Sequence, residues 1–435
     1  MKKKTIIIGG GLTGLLTGYE LLKQGYSVSI YESGARAGGL LAHLTVGKEQ
    51  VEYIYHHIFT SDRYAIDLIE ELGLLEDLKW YKPKNGLYIN KKLYPFTSPV
   101  DLALFRAIPF FERIRTGLSV LKAKKITDYL PLESMTAKDW LIQNSGKRAY
   151  EALWKPLLKS KFDNDADDVS AVWIWNKFKL RGNSRENVAS ESLGYLGGSF
   201  GRIIDVLEEK IKALGGGIFL NHEATAIAQQ GGRYQVTFAN GAQAEGGLVV
   251  AAVAAPVYAA LIEGMNAGEG YREQLGAIRY KANICMVLNM KQTLSKYYWT
   301  TVCEDLPFVL VIEQNNLMDD KHYGGKLVYL SRYLDRTDAM WGMSDDEIRE
   351  TFFAGLKKMY PAFQPEDVFE AHVFRSAYSQ PVVLRHYSEN RPQIKTPFPN
   401  LYLAGMSQIY PEDRGLNYGV RLAHETKDII LNDDR

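Results

Sequence analysis

The chain has 435 residues, 46% of them hydrophobic, which is enough for two domains and typical of an ordinary globular protein rather than a disordered one. Its 52 basic and 51 acidic residues nearly cancel, excluding a global field that would recruit nucleic acid or acidic membranes. Two cysteines, Cys285 and Cys303, stand in no metal or redox spacing; a disulfide framework is excluded, and a cytoplasmic protein without a metal site is expected.

Met1 to Lys4 is basic like the start of a signal peptide, but the run after it contains a glycine loop and Glu20 and no cleavage site. No stretch approaches about 18 uninterrupted apolar residues, so no membrane span is expected. Thr5 to Ile8 is a β-branched run with the composition of a strand buried on both faces. Gly9, Gly11 and Gly14 follow in G-x-G-x-x-G spacing. Leu12, Leu15, Leu16, Tyr19 and Leu22 then recur with helical period, and Gly25 is placed to end that helix. Ser27 to Tyr31 is a second strand with Glu32 at its carboxyl end.

This unit has a specific chemistry. Gly9 permits the tight turn, Gly11 lets a pyrophosphate approach the backbone, and Gly14 lets helix and strand pack closely. The free N–H groups of Leu12 and Thr13 at the helix start face the phosphates. Glu32, close to the expected ~20 residues onward, accepts hydrogen bonds from the ribose hydroxyls. The spacing predicts dinucleotide binding.

Glu32 continues as Ser33-Gly34-Ala35-Arg36-Ala37-Gly38-Gly39-Leu40. This E-x3-R-x-G-G run resembles the second glycine motif of the FAD-binding amine oxidase and protoporphyrinogen oxidase superfamily. The resemblance implies that Ser33, Arg36, Gly38, Gly39 and Leu40 wrap the FAD pyrophosphate and ribityl chain, and it favours FAD over NAD. It also implies an α/β fold: a discontinuous, Rossmann-like FAD-binding domain of the GR2 type, with a substrate domain of antiparallel sheet plus helices.

Leu40 to Gly47 reads as a strand, and a helix is predicted from Asp62 to Leu72, capped by Thr60 or Ser61 and stopped by Gly73. The loop between them, Tyr55-His56-His57-Ile58-Phe59, resembles the G-P-H-I-F segment of UDP-galactopyranose mutase. That likeness implies that His57, with Ile58, lies against the isoalloxazine; His57 and its neighbour His56 are the candidate catalytic groups. Trp80 to Phe96 reads as short strands opening the second domain.

Pro99 to Lys125 is apolar on one face and basic at its end. A pair of helices packed in the substrate domain is expected. The alternative is peripheral contact with a membrane, as a related segment makes in membrane-bound protoporphyrinogen oxidases. Thr136 to Asp139 is a helix-capping pattern, and the aromatic-rich run through Trp154, Trp173 and Trp175 is expected in core or as the roof of a substrate cavity.

Tyr195 to Phe200 introduces an amphipathic helix through Ile203, Ile204, Leu207 and Ile211, followed by Gly215 to Gly217 and the strand Ile218 to Leu220. In the superfamily the chain returns here to the FAD domain, which places Ala224 beside the adenine. Asn240-Gly241 predicts a hairpin between Tyr234 to Phe238 and Ala242 to Gly246. Leu248 to Val253 is a buried strand. Strands at Ile284 to Met290, Phe308 to Glu313 and Leu327 to Leu334, with a helix from Asp345 to Met359, complete the substrate domain. Tyr297, Tyr298, Trp299, Tyr329 and Tyr333 are candidates to face the flavin.

Leu401 to Gly405 is the last strand, and Asp413-Arg414-Gly415-Leu416-Asn417 precedes a helix expected from Val420. The resemblance assigns Gly405, Arg414, Gly415, Leu416 and Asn417 to the flavin, with a helix N-terminus under its carbonyl edge. Met406 stands where many relatives have an acid that holds the ribityl or phosphate. The expected domains are 1–79, 191–260 and 390–435 for FAD, and 80–190 and 261–389 for substrate.

The function these features imply is an FAD-dependent oxidoreductase moving a hydride from a C–H bond of a small-molecule substrate to the flavin. One rival is a non-redox enzyme of a nucleotide sugar, resembling UDP-galactopyranose mutase, which needs cations such as Arg181, Arg185, Arg332 and Arg375 brought together. Another is a binding protein on the same scaffold, resembling the GDP dissociation inhibitors. Oligomeric state is not written in the sequence.

Overall fold

A computed structural model describes residues 3–183, 185–187, 190–318 and 321–434. Five parallel strands form its central sheet, in the order Gly217–Phe219, Ser27–Tyr31, Lys4–Ile8, Leu248–Ala251, Leu401–Leu403. Thr5 pairs with Leu248 and Val249 with Leu401, so the two ends of the chain meet in one sheet. The β-branched composition has its reason here: Ile6, Ile7, Val249 and Val250 are fully buried.

Alternate side chains of these strands enter different layers. Ile7, Ile30, Leu248 and Val250 join the core formed with helices Leu12–Lys23, Gly201–Ala213 and Leu416–Asp433. Ile6, Ile8, Val249 and Ala251 pack against the three-stranded antiparallel sheet Ala224–Gln230, Arg233–Phe238 and Gln243–Gly246. Gly241 turns that hairpin with a φ of 83°.

A second, seven-stranded sheet runs in the order Val368–Pro381, Tyr280–Met290, Lys326–Leu334, Leu310–Glu313, Trp299–Val302, Asn85–Ile89, Lys92–Pro95. Its neighbours are antiparallel except Trp299–Val302 and Asn85–Ile89, which pair in parallel. The expectation of an antiparallel sheet therefore holds with one exception. Ile284, Met286 and Leu288 pack with Phe352 and Leu356 of helix Asp345–Met359 on one face. Cys285, Val287 and Tyr329 face the core shared with the parallel sheet.

Several boundaries differ from expectation. Leu40 and Leu41 belong to a short 3-10 turn, Gly39–Leu41, and the strand begins at His43. The helix Arg63–Glu71 is entered through Asp62 rather than capped by Thr60 or Ser61; the Asp62 carboxylate turns back to accept from the Phe59 N–H at 2.9 Å. The closing helix starts at Leu416, one turn before Val420.

Pro99–Leu104 and Phe110–Lys125 are indeed a pair of helices, but the second is inside out. It buries Thr116, Ser119 and Ala123 and turns Phe110, Phe111, Ile114, Leu118 and Leu121 outward. Phe111 is 77% exposed and Leu104, on the first helix, 70%. None of the described helices is long and apolar enough to cross a membrane.

Candidate functional site

The strand Lys4–Ile8 ends at Gly9, whose φ is 103° and whose missing Cβ would lie 2.5 Å from the Ala252 carbonyl oxygen. Gly14 is equally constrained: a Cβ there would stand 2.0 Å from the Gly9 oxygen. Gly11 is different. The nearest atom to its absent Cβ is the Gly39 Cα at 3.9 Å, leaving open backbone at the start of helix Leu12–Lys23.

The second glycine turn packs against the first. The Gly38 N–H donates to the Gly10 oxygen at 2.8 Å, and Gly11 and Gly38 pair as a parallel bridge. Glu32 clamps both turns: one carboxylate oxygen accepts from the Gly10 N–H at 2.7 Å, the other from the Gly34 N–H at 2.8 Å and the Ser33 hydroxyl at 3.0 Å. An ionised carboxylate offers about four acceptor positions, so these three bonds leave capacity for a further donor. Arg36 is exposed and Leu40 half-buried beside this turn. The His222 backbone N–H donates to the Glu32 main-chain carbonyl at 2.8 Å, which brings the start of strand Ala224–Gln230 to the same edge.

Two helix N-termini meet at this cradle. Helix Leu12–Lys23 begins after Gly11 and helix Leu416–Asp433 after Gly415, neither with a side-chain cap. The Thr13 hydroxyl donates to the Gly419 oxygen at 3.4 Å and ties the two starts together. No atom lies within 4 Å of a Cβ placed on Gly415, whereas one on Gly405 would sit 2.3 Å from the Val253 oxygen. The Asn417 side chain is committed elsewhere, accepting from the Ala65 N–H at 3.1 Å, so Asn417 offers its backbone. Gln408 fastens the strand end next to Met406, accepting from the Gly405 N–H at 2.7 Å and donating to the Leu403 oxygen at 2.8 Å. Uncapped N–H groups, positive helix ends and an open glycine surface suit a bisphosphate and the polar edge of a flavin. The residues present fit FAD.

An aromatic wall is joined to the start of the closing helix through Arg414, the residue before Gly415, which bonds Tyr333 beside Tyr55. His57 Nδ1 lies 3.2 Å from the Tyr298 hydroxyl, and its ring centroid is 5.4 Å from Phe59 and 5.7 Å from Trp299. Tyr55 meets Trp299 edge-on at 5.2 Å and Tyr329 at 6.3 Å. Tyr297 is apart from this group, with its ring against Gly86. Ile58 turns its side chain into the core against Gly194. Glu313 sets the wall's position: its backbone N–H donates to the Tyr298 main-chain carbonyl at 2.8 Å, and its carboxylate accepts from the Leu294 and Ser295 N–H groups. Burial pushes that carboxyl up to about 7 against those hydrogen bonds. His56 carries a buried Nδ1 without a partner among the described residues. Burial, with Arg414 nearby, takes its imidazole down to about 4.

Sequence reasoning named Arg414 and Tyr333 for the flavin but did not find Lys161, Lys177 or Gln380, which complete the charged end of this wall. Arg414 donates to the Tyr333 hydroxyl at 2.6 Å and to Gln380 at 3.2 Å; Tyr333 is in turn hydrogen-bonded to Tyr55. Gln380 donates to one oxygen of Asp413 at 2.9 Å, and Lys161 and Lys177 both reach the other at 2.7 Å. Burial acts to raise the Asp413 carboxyl, but Lys161, Lys177 and Arg414 hold it well below the usual range. Lys161 itself is lowered by burial and by Arg414, against Asp413. Asp62, facing Lys177, is raised to about 6 by burial despite the Phe59 N–H. Asp413 and Arg414 adjoin a recognisable motif; nothing in the spacing of Lys161, Lys177 or Gln380 announces them.

One set of ligand-type atoms, on Glu133, His386 and Glu389, gathers within 4.8 Å elsewhere. Glu133 is already hydrogen-bonded by Ser388 and Tyr410, and the other two are exposed.

Residues 12–412 match the family of flavin-containing amine oxidoreductases. Over 203 residues the chain is 26% identical to the zeta-carotene desaturase of Arabidopsis thaliana, a match covering 41% of this chain and 36% of that protein's length. The fold is similar to that of a provisionally designated protoporphyrinogen oxidase from Exiguobacterium sp. 255-15, with a TM-score of 0.79, 18% identity and 99% of both chains covered. It is also similar to reduced UDP-galactopyranose mutase, with a TM-score of 0.75, 16% identity, and 99% of this chain and 94% of that one covered.

Proposed function

The chain belongs to the family of flavin-containing amine oxidoreductases, and from that premise we propose that it is an FAD-dependent oxidoreductase taking a hydride from a C–H bond of a small organic substrate. The observation that carries this reading is the junction of two clamped glycine turns and two uncapped helix starts with the wall of His57, Tyr298 and Trp299. FAD supplies the two-electron chemistry when bound. Glu32 holds the ribose, and the N–H groups after Gly11 bind the pyrophosphate. The helix start after Gly415 stabilises negative charge on the ring. His57, Tyr55, Tyr298 and Trp299 orient the substrate and exclude water.

We divide the molecule as the sheets divide it. Every strand of the parallel sheet falls within 1–79, 191–260 and 390–435, and every strand of the seven-stranded sheet within 80–190 and 261–389.

A nucleotide-sugar reaction has less support. Arg332 and Arg375 both pair across Ile284, on the sheet face covered by helix Asp345–Met359, and Arg375 is bonded to Asp345 there. The side chains of Arg181 and Arg185 lie outside the described residues. The intact phosphate cradle also speaks against a flavin-free binding protein. The outward apolar face of Phe110–Lys125, with Lys122, Lys124 and Lys125 at its end, supports peripheral contact with an anionic membrane surface.

Purified protein should carry FAD, visible in its absorption spectrum, and an anaerobic screen of amines, tetrapyrrole precursors, polyenes and nucleotide sugars should bleach it. Glu32→Ala loses charge-assisted bonds worth about 1.5–3 kcal/mol, so FAD should bind about tenfold more weakly or worse. Protein that neither contains nor takes up FAD would end this reading.

A further inference from the structure

Glu313 is a carboxylate buried without a counter-charge. It ends strand Leu310–Glu313 and is 1% exposed. One carboxylate oxygen accepts from the Leu294 N–H at 2.7 Å and the Ser295 N–H at 3.0 Å, and the other is bonded by the Ser295 hydroxyl. Ser295 Oγ in turn accepts from the Tyr297 N–H at 3.1 Å. One side chain therefore fastens the whole turn that leads into Tyr298 and Trp299, and Asn316 adds bonds to the Ser295 and Tyr297 oxygens.

Among the described residues no cation pairs with this carboxylate. Tyr360, which ends helix Asp345–Met359, faces it from that helix with Tyr88 behind, and burial keeps the Tyr360 phenol protonated. On the neighbouring strand Glu313 stands across from Val328, and Lys326 lies further along, opposite Met290. Lys296 of the turn lies over the Tyr297 ring at 5.6 Å, and Asp367 joins the segment at Lys291 and Gln292. A buried anion without a counter-ion is costly, so the group gains by holding a proton.

We propose that Glu313 is a positioning residue and the proton switch of the aromatic wall: when its carboxyl ionises, the turn of residues 294–297 opens and loosens Tyr298 and Trp299. In water a glutamate titrates at about 4.3, whereas in the closed turn burial raises it to about 7. Between those values the closed turn keeps a proton that the open turn releases, so rising pH favours opening. The wall follows because the Glu313 N–H holds the Tyr298 carbonyl, and Ile312 beside it pairs with Trp299. Tyr298 carries the bond to His57, and Trp299 the edge contact with Tyr55. The switch in the turn stands on these contacts alone; its effect at the ring rests on the flavoenzyme reading above.

Hydrogen exchange over residues 291–299, corrected for the intrinsic rate, reads the turn in the protein as purified. Protection in the parent should fall about tenfold or more between roughly pH 5 and 7. Glu313→Gln keeps the shape and an acceptor oxygen but cannot ionise, so its protection should stay constant over that range. Circular dichroism of the bound flavin, which senses the groups packed around the ring, should change across the same window in the parent and not in Glu313→Gln. Constant protection in the parent overturns the proposal without any variant, and so does an equal pH dependence in Glu313→Gln. A pH-dependent turn with unchanged flavin dichroism overturns the positioning role. If the protein lacks FAD, the flavoenzyme reading falls, while exchange still decides the switch.

Discussion

His56 and His57 are adjacent in the chain and opposite in chemistry. Burial and Arg414 hold His56 down to about 4, so its ring is neutral through the neutral range. The unfolded imidazole titrates at about 6.5. The stability linked to the neutral ring is thus complete above that value and is lost as pH falls toward about 4. His56→Leu should flatten the decline in urea midpoint across that window. His57, bonded to Tyr298, is the proposed contact to the flavin ring. His57→Ala should shift the flavin reduction potential and leave the shape of the pH profile intact. A loss of roughly 10²–10⁴ in reduction rate with one limb of the profile gone would make it a general base instead. Stopped-flow reduction of both variants across pH separates these outcomes, and no change in either would remove the pair from the site. At this scale the glycines and Glu32 were legible because their partners lie within one local unit. Lys161 and Gln380 were not, because they meet Asp413 only through tertiary packing.

Periodicity shows that a helix has two faces without saying which one the fold will bury. For Phe110–Lys125 the expected helix is present, and the face it buries is the small one: Thr116, Ser119 and Ala123 permit close packing against helix Ala137–Ser145, and the Ser119 hydroxyl lies 3.3 Å from that of Ser145. Half of the exposed large hydrophobic residues described lie between Val100 and Leu121, more than scattered surface residues explain. The protein should therefore cosediment with vesicles containing anionic phospholipid. Replacing Phe110, Phe111 and Leu118 together by Ser should reduce binding severalfold without loss of thermal stability, since all three are exposed. Unaltered sedimentation of that variant, or none by the parent, would leave the face to another role. The early start of the closing helix was hidden for a different reason. Residues 416–419 carry no apolar period of their own, and the first turn is fixed by Thr13 and Ala65 reaching across from other elements.

The whole molecule is a set of returns to one sheet, and these could be read because each return has its own glycine break and buried β-branched strand. The parallel pairing of Trp299–Val302 with Asn85–Ile89 could not, since no local pattern carries a register between such distant strands. A cofactor touching segments from Gly9 to Asn417 should tie these returns together. FAD at 100 times its Kd adds about 2.7 kcal/mol, so stripping it should lower Tm by a few degrees, with recovery on readdition. An unchanged Tm would mean that the segments hold each other without it. The place of Leu401–Leu403 at the sheet edge, one strand from Leu248–Ala251, also sets an order of events during synthesis. The ribosome delivers the phosphate loop first and the strand and helix that close over the ring last. At about 5–20 residues per second the early half of the cradle waits on the order of half a minute for its counterpart. For the last part of that interval, the roughly 150 residues between Ala251 and Leu401 or about 8–30 s at that rate, the Leu248–Ala251 edge stands unpaired in the nascent chain, so a chaperone that shields exposed strand edges should govern how much of the newly made protein captures its cofactor.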